Sequence, residues 1–146
     1  MNKRLGIAAL GGVGVLAVGA AVVPAALATP SSTSHTLHFT ALTQANKSLS
    51  RTTFTQDEKD VRNGKVIGYD VLLITSTSPS TATGRVAFAS KGGFLYGRLT
   101  FDFNSPTVHG KIIGGTGSYR GATGTVLGKN LNKAGTRTAV TLKFTT

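Results

Sequence analysis

Residues 114–124 read Gly-Gly-Thr-Gly-Ser-Tyr-Arg-Gly-Ala-Thr-Gly, with glycine at Gly114, Gly115, Gly117, Gly121 and Gly124. An apolar, strand-like run lies on either side: Lys111-Ile112-Ile113 before it and Thr125-Val126-Leu127 after it. Glycine accepts positive φ and lets other backbone approach closely. The spacing therefore suits a strand that bulges, turns and re-enters a tightly curved sheet, with the five glycines in a structural role.

The rest of the chain agrees with a sheet. Thr, Ser, Gly and Val dominate, and no window shows the three-and-four apolar spacing of a helix. Strand signals recur near 36–43, 50–56, 65–75, 82–90, 94–103, 107–113, 121–128 and 136–145. Turn cues separate them at Ala45-Asn46-Lys47, Arg62-Asn63-Gly64, Ser78-Pro79-Ser80, Lys91-Gly92-Gly93, Asn104-Ser105-Pro106 and 130–135. The prolines beyond residue 28 all fall outside these strands, as an unbroken hydrogen-bond ladder requires. Eight short strands predict an all-β fold, an eight-stranded antiparallel barrel of the smallest size that holds side chains or one small ligand.

Alternation assigns the faces. Leu95, Gly97, Leu99, Phe101 and Phe103 share one side of their strand, and Tyr96, Arg98, Thr100 and Asp102 the other. Val140, Leu142 and Phe144 likewise oppose Arg137, Thr141 and Lys143. Turning the apolar sets inward predicts a mostly hydrophobic lumen. Asp70 shares its side with Val66, Leu72 and Ile74, so it is either a lumen acid with a raised pKa or half of an ion pair at the barrel end.

The first 28 residues belong to no fold. Asn2-Lys3-Arg4 is a basic head, residues 5–27 are small and apolar, and Ala26-Leu27-Ala28 supplies a cleavage pattern. They read as a signal peptide (1–28), followed by a flexible leader (29–35) and a barrel domain (36–146), which makes the protein secreted. The competing reading is an uncleaved membrane anchor. Losing Lys3 and Arg4 leaves 14 of the 16 cations against five carboxylates, a balance of +9. Those cations are scattered singly from Lys47 to Lys143. They predict loose attraction to an anionic cell wall and no nucleic-acid partner, which would need a clustered patch. With no cysteine there is no disulfide, thiolate nucleophile or cysteine metal site. His35 and His38 lie three apart, on opposite faces of a strand, so no metal is expected.

The glycine segment resembles the Gly-Gly-Thr-Gly-x-Phe/Tyr-x-x-Ala-x-Gly signature of the dirigent and allene oxide cyclase superfamily. The likeness extends over residues 60–128, through Gly64, Gly68, Gly84, Gly92, Gly93 and Gly97. It implies a small barrel that works without a cofactor on an apolar, reactive molecule and that often forms dimers or trimers. Arg120 matches the arginine after the signature's aromatic, and Thr123 replaces a second arginine. His109 stands where an acid is usual, and His38 aligns with a first-strand glutamate.

A cyclisation or isomerisation of a reactive molecule needs a shaped, water-poor cavity and one or two polar groups. Asp70, His38 and Arg120 are the candidate catalytic groups. Leu95, Leu99, Phe101, Phe103 and Tyr119 are the candidate ligand contacts. A non-catalytic carrier of an apolar ligand and a basic, wall-associated structural protein are the alternatives. No nucleophile elbow or phosphate-binding loop is present in the sequence.

Overall fold

A computed structural model describes residues 32–146. Eight strands follow one another: β1 (Ser34–Ser48), β2 (Thr53–Arg62), β3 (Lys65–Ser76), β4 (Thr81–Ser90), β5 (Gly93–Asp102), β6 (Thr107–Gly115), β7 (Thr123–Asn130) and β8 (Arg137–Thr145). Each pairs antiparallel with the next, and β1 pairs with β8 from Ser34↔Thr145 to Leu42↔Arg137, which closes the barrel. Closure removes the free edges that an open sheet would expose. The N-terminal leader, its cleavage site and residues 29–31 of the expected flexible segment lie outside the described residues, whereas Ser34 and His35 already belong to β1.

Two features set which strand faces meet. The β2–β3 hairpin closes through Asn63 and Gly64, whose φ values are 51° and 74°, and joins Arg62↔Lys65. Positive φ at both central residues is the geometry that Asn-Gly favours and that matches strand twist. Next, the register shifts between Asp60 and Val61: Val61 faces Val66, but Asp60 faces Gly68. This bulge moves the remainder of β2 by one residue against β3.

The glycine segment ends β6, makes a single 3-10 turn at Gly117–Tyr119 and starts β7. Gly117 has φ 58° and sits under the backbone of Gly92, so the turn packs on the β4–β5 hairpin. A Cβ at Gly124 would fall on the carbonyl oxygen of Lys143, where β7 meets β8.

The first two strands differ from the sequence reading. β1 starts at Ser34 and continues through Ala45, Asn46 and Lys47, which pair with Asp57, Gln56 and Thr55. The turn is at 49–52, and β2 runs on to Arg62. Both segments are polar enough to resemble loop, but on a closed sheet their outward residues face water and their inward ones meet a polar patch of the lumen.

The core is in two parts. Phe39, Ala41, Phe88, Leu95, Ile112, Ala122, Leu142 and Phe144 fill the end near the 63–64, 91–92 and 116–122 turns. Phe39 stacks on Phe88 at 5.3 Å, and Tyr119 meets Phe144 edge-on at 5.8 Å. Leu72, Ile74, Ala82 and Leu99 line the wall towards the other end. That end stays open.

Candidate functional site

The open end leads into a cavity of about 350 Å³. Phe101, Phe103, Ser105 and Lys133 form its mouth, and Leu72, Val86, Leu99 and Val126 its wall. Phe39, Phe88, Leu95, Ile112 and Leu142 form its floor. Its size is at the small end of the range for ligand cavities, roughly 300–1,000 Å³.

One strip of this apolar lumen is polar. Inward residues of β2 run from mouth to floor as Phe54, Gln56, Glu58 and Asp60. The bulge sets Glu58 directly opposite Asp70 on β3, with Thr43 of β1 on its other side. Gln56 donates through Nε2 to Glu58 Oε1 and, at 3.1 Å, to Thr43 Oγ1. Thr43 also donates to Glu58 Oε1 at 3.3 Å. Glu58 and Asp70 both line the cavity. Asp60 lies one step deeper between Ala41 and Gly68 and is 0% exposed.

The chain has only five carboxylates, and three of them are buried in this one cluster. Among the described residues, no amide, hydroxyl or cationic group donates to either Asp60 oxygen or to Asp70 Oδ1. A buried carboxylate without a donor keeps its proton, because desolvation penalises the charged form. Burial pushes Asp70 up to about 9, and the neighbouring charges of Glu58 and then Asp60 add to the rise. Burial, then Glu58, raises Asp60 to about 7, with a hydrogen bond from Asp70 acting the other way. At neutral pH Asp70 is therefore a carboxylic acid, and its single proton goes to one or the other of its acidic neighbours. Glu58, held by Gln56 and Thr43, is the acceptor at its side.

The structure places the other candidate catalytic residues apart from Asp70. His38 is exposed on the outer face, with Nδ1 2.9 Å from Thr141 Oγ1. Arg120 is exposed beyond the 3-10 turn, at the closed end of the barrel. His109 points outward beside Lys111. Leu95, Leu99, Phe101 and Phe103 line the lumen, whereas Tyr119 seals the far end, its Oη 2.8 Å from Ser90 Oγ. Val66 leaves the face of Asp70 and Leu72 for the rim and is 50% exposed. Among the described residues, no group of three His, Asp or Glu is arranged to hold a metal ion. Sequence reasoning missed Glu58, Asp60, Gln56 and Thr43. Phe54-x-Gln56-x-Glu58-x-Asp60 alternates as a half-buried strand does, and that was the available signal.

A closed eight-stranded barrel is of the size whose interior holds side chains or one small ligand. More narrowly, the chain has the dirigent and allene oxide cyclase-like barrel fold. It resembles a pyocyanin demethylase with a TM-score of 0.64 at 16% identity, over 75% of this chain and 99% of that one. It also resembles two pterocarpan synthase dirigent proteins, PsPTS1 and GePTS1, each with a TM-score of 0.58 at 16% identity. Those likenesses cover 77% and 78% of this chain, and 92% and 89% of theirs. No family model matches the sequence, and no curated protein is similar to it.

Proposed function

We propose that the barrel binds a small hydrophobic molecule in its lumen and guides a cyclisation or isomerisation of it by moving a proton. What carries this reading is one observation: in a largely apolar cavity, a buried polar strip sets Asp70 directly opposite Glu58, whose Oε1 accepts from Gln56 and Thr43. Asp70 gives its proton to an oxygen or basic nitrogen of the guest as Glu58 takes one from elsewhere on the molecule. The guest leaves as an isomer, no electrons are gained or lost, and the direct contact between the two carboxyls returns the proton to Asp70. Such paired acid and base groups contribute about 10²–10⁴-fold to a proton-transfer step. The names of the similar barrels, a demethylase of one small molecule and synthases of another class, agree with chemistry on compact organic guests.

The basic head and apolar stretch of residues 1–28 support an exported protein, with the barrel acting outside the cell. Binding is tested with 1-aminoanthracene, a neutral fluorophore, against Val86→Trp, which fills the lumen. We expect saturable one-to-one binding that the variant loses. An equal signal from both proteins would remove the guest from the lumen and the reading with it. Native mass spectrometry of the protein from its own host would supply the guest's mass. Asp70→Asn and Glu58→Gln, still binding that guest but not converting it, separate catalysis from carriage. Unaltered conversion in both would take the proton transfer away from these two residues, and a wild type that binds the guest without converting it would be a carrier.

A further inference from the structure

The closed end of the barrel carries a second concavity, separated from the lumen by Phe88, which lines both. It is an open groove of about 660 Å³. Its floor is apolar, from Leu37, Ile67 and the ring of Tyr119. Its rim is cationic: Arg62 and Lys65 flank the β2–β3 turn, and Lys91 stands on the β4–β5 turn. Among the described residues no carboxylate lines it. The lumen is the reverse case, with Glu58, Asp70 and Asp102 in its lining against Lys133 alone. The two ends of one barrel therefore differ in the ionisable side chains that line them.

We propose that this groove is a binding site for a small amphiphilic anion, an aliphatic or aromatic body with a carboxylate, sulfate or phosphate head. The body covers Leu37, Ile67 and Tyr119, and the head sits between the two hairpins, where three cations converge. Burial of the body supplies most of the affinity, and the exposed cations choose the sign of the head. Each exposed contact of this kind is worth roughly threefold. Removing two should cost roughly tenfold in affinity. A similar weakening should follow when salt shortens the Debye length from about 10 Å towards 3 Å.

The test uses 8-anilinonaphthalene-1-sulfonate fluorescence with the protein purified from its own host, and decanoate and 1-decanol as competitors. The variants are Lys65→Gln/Lys91→Gln, both at exposed positions, and the lumen-filling Val86→Trp, with Val126→Trp as its replacement should the first not fold. We expect binding about tenfold weaker in the lysine double variant, unchanged when the lumen is filled, and displaced by decanoate well before 1-decanol. Wild-type affinity in the double variant, or equal competition by 1-decanol, overturns the proposal. So does loss of the signal only when the lumen is filled, which would put the probe in the lumen. Binding to phosphatidylglycerol vesicles without binding of the free anions would replace the site with a membrane-docking face. Failure of the lumen reading with 1-aminoanthracene leaves these outcomes untouched.

Discussion

Asp70→Asn should flatten the pH dependence of stability, and the size of the effect follows from which state holds the protons. In the unfolded chain both aspartates titrate near 3.8, whereas in the barrel Asp60 is raised to about 7 and Asp70 to about 9. A raised acid contributes stability that is fully present below the unfolded pKa and is lost as pH climbs towards the folded one. Each proton that only the folded state holds lowers the folding constant about tenfold per pH unit. Two are held up to about pH 7 and one from there to about pH 9. Between pH 5 and 7 the loss is then about four decades, or about 5 kcal/mol. That is comparable to the whole stability of many domains, about 5–15 kcal/mol. At about 4 °C per kcal/mol it amounts to a fall of roughly 20 °C in Tm. Asp70→Asn keeps the shape and removes one retained proton, so its slope should be shallower by about tenfold per pH unit and its Tm at pH 8 higher than wild type. Urea and thermal melts followed by circular dichroism from pH 5 to 9 measure this, with Asp57→Asn on the outer face as the control. A wild-type Tm constant over that range, or a variant slope equal to wild type, would refute the buried-acid account.

Three further outcomes probe the barrel itself. Gly124→Ala should destabilise by about 2 kcal/mol or more, read from a urea midpoint, because its methyl meets the Lys143 backbone and not a movable side chain. Phe88→Ala should cost about 3–5 kcal/mol and open the lumen floor to the groove behind it. Water reaching the carboxyls should then bring the Asp70 titration, followed by carboxyl NMR, back down towards the ordinary range. The outer faces of β3 and β5 expose Tyr69, Val71, Phe94 and Tyr96, the last two stacked at 6.2 Å, which supports self-association. Sedimentation should find a dimer or trimer, and Tyr96→Lys should shift it to monomer.

The fold was legible because a barrel repeats one simple rule. Leu95-x-Gly97-x-Leu99 and Val140-x-Leu142-x-Phe144 announce their faces by alternation, Asn63-Gly64 announces its turn, and neither depends on distant residues. Asp70 could be picked out by the same rule, as an acid on an apolar face. Its partners could not. Counting back from the Arg62↔Lys65 pair without a bulge sets Asp70 opposite Asp57, on the outer face, and Glu58 opposite Tyr69. The single shift between Asp60 and Val61 reverses this and brings Glu58 and Asp70 together. A one-residue slip exchanges the two faces of a strand, and no pattern within β2 reports it. His38 and Arg120 were chosen for their positions in a signature, and position in a signature does not say which end of a barrel a side chain occupies.

The acid cluster also makes poor sense as a stabilising device. Three carboxyls share one buried wall, two of them with oxygens that, among the described residues, no amide, hydroxyl or cation reaches, in a chain with 14 cations beyond residue 28. Leu or Met at these positions would pack against Phe39, Phe88 and Leu72 and remove the alkaline loss of stability altogether. The strain is also concentrated where the cavity is, with Glu58 and Asp70 on its wall and Asp60 directly behind them. Local cost gathered at the wall of a ligand-sized void is the pattern expected of a site kept for chemistry. Burial among apolar side chains is what keeps a proton on Asp70. On the proposed reading, guest binding and proton donation rest on that same apolar lining, and a variant that wets the lumen should lose both together.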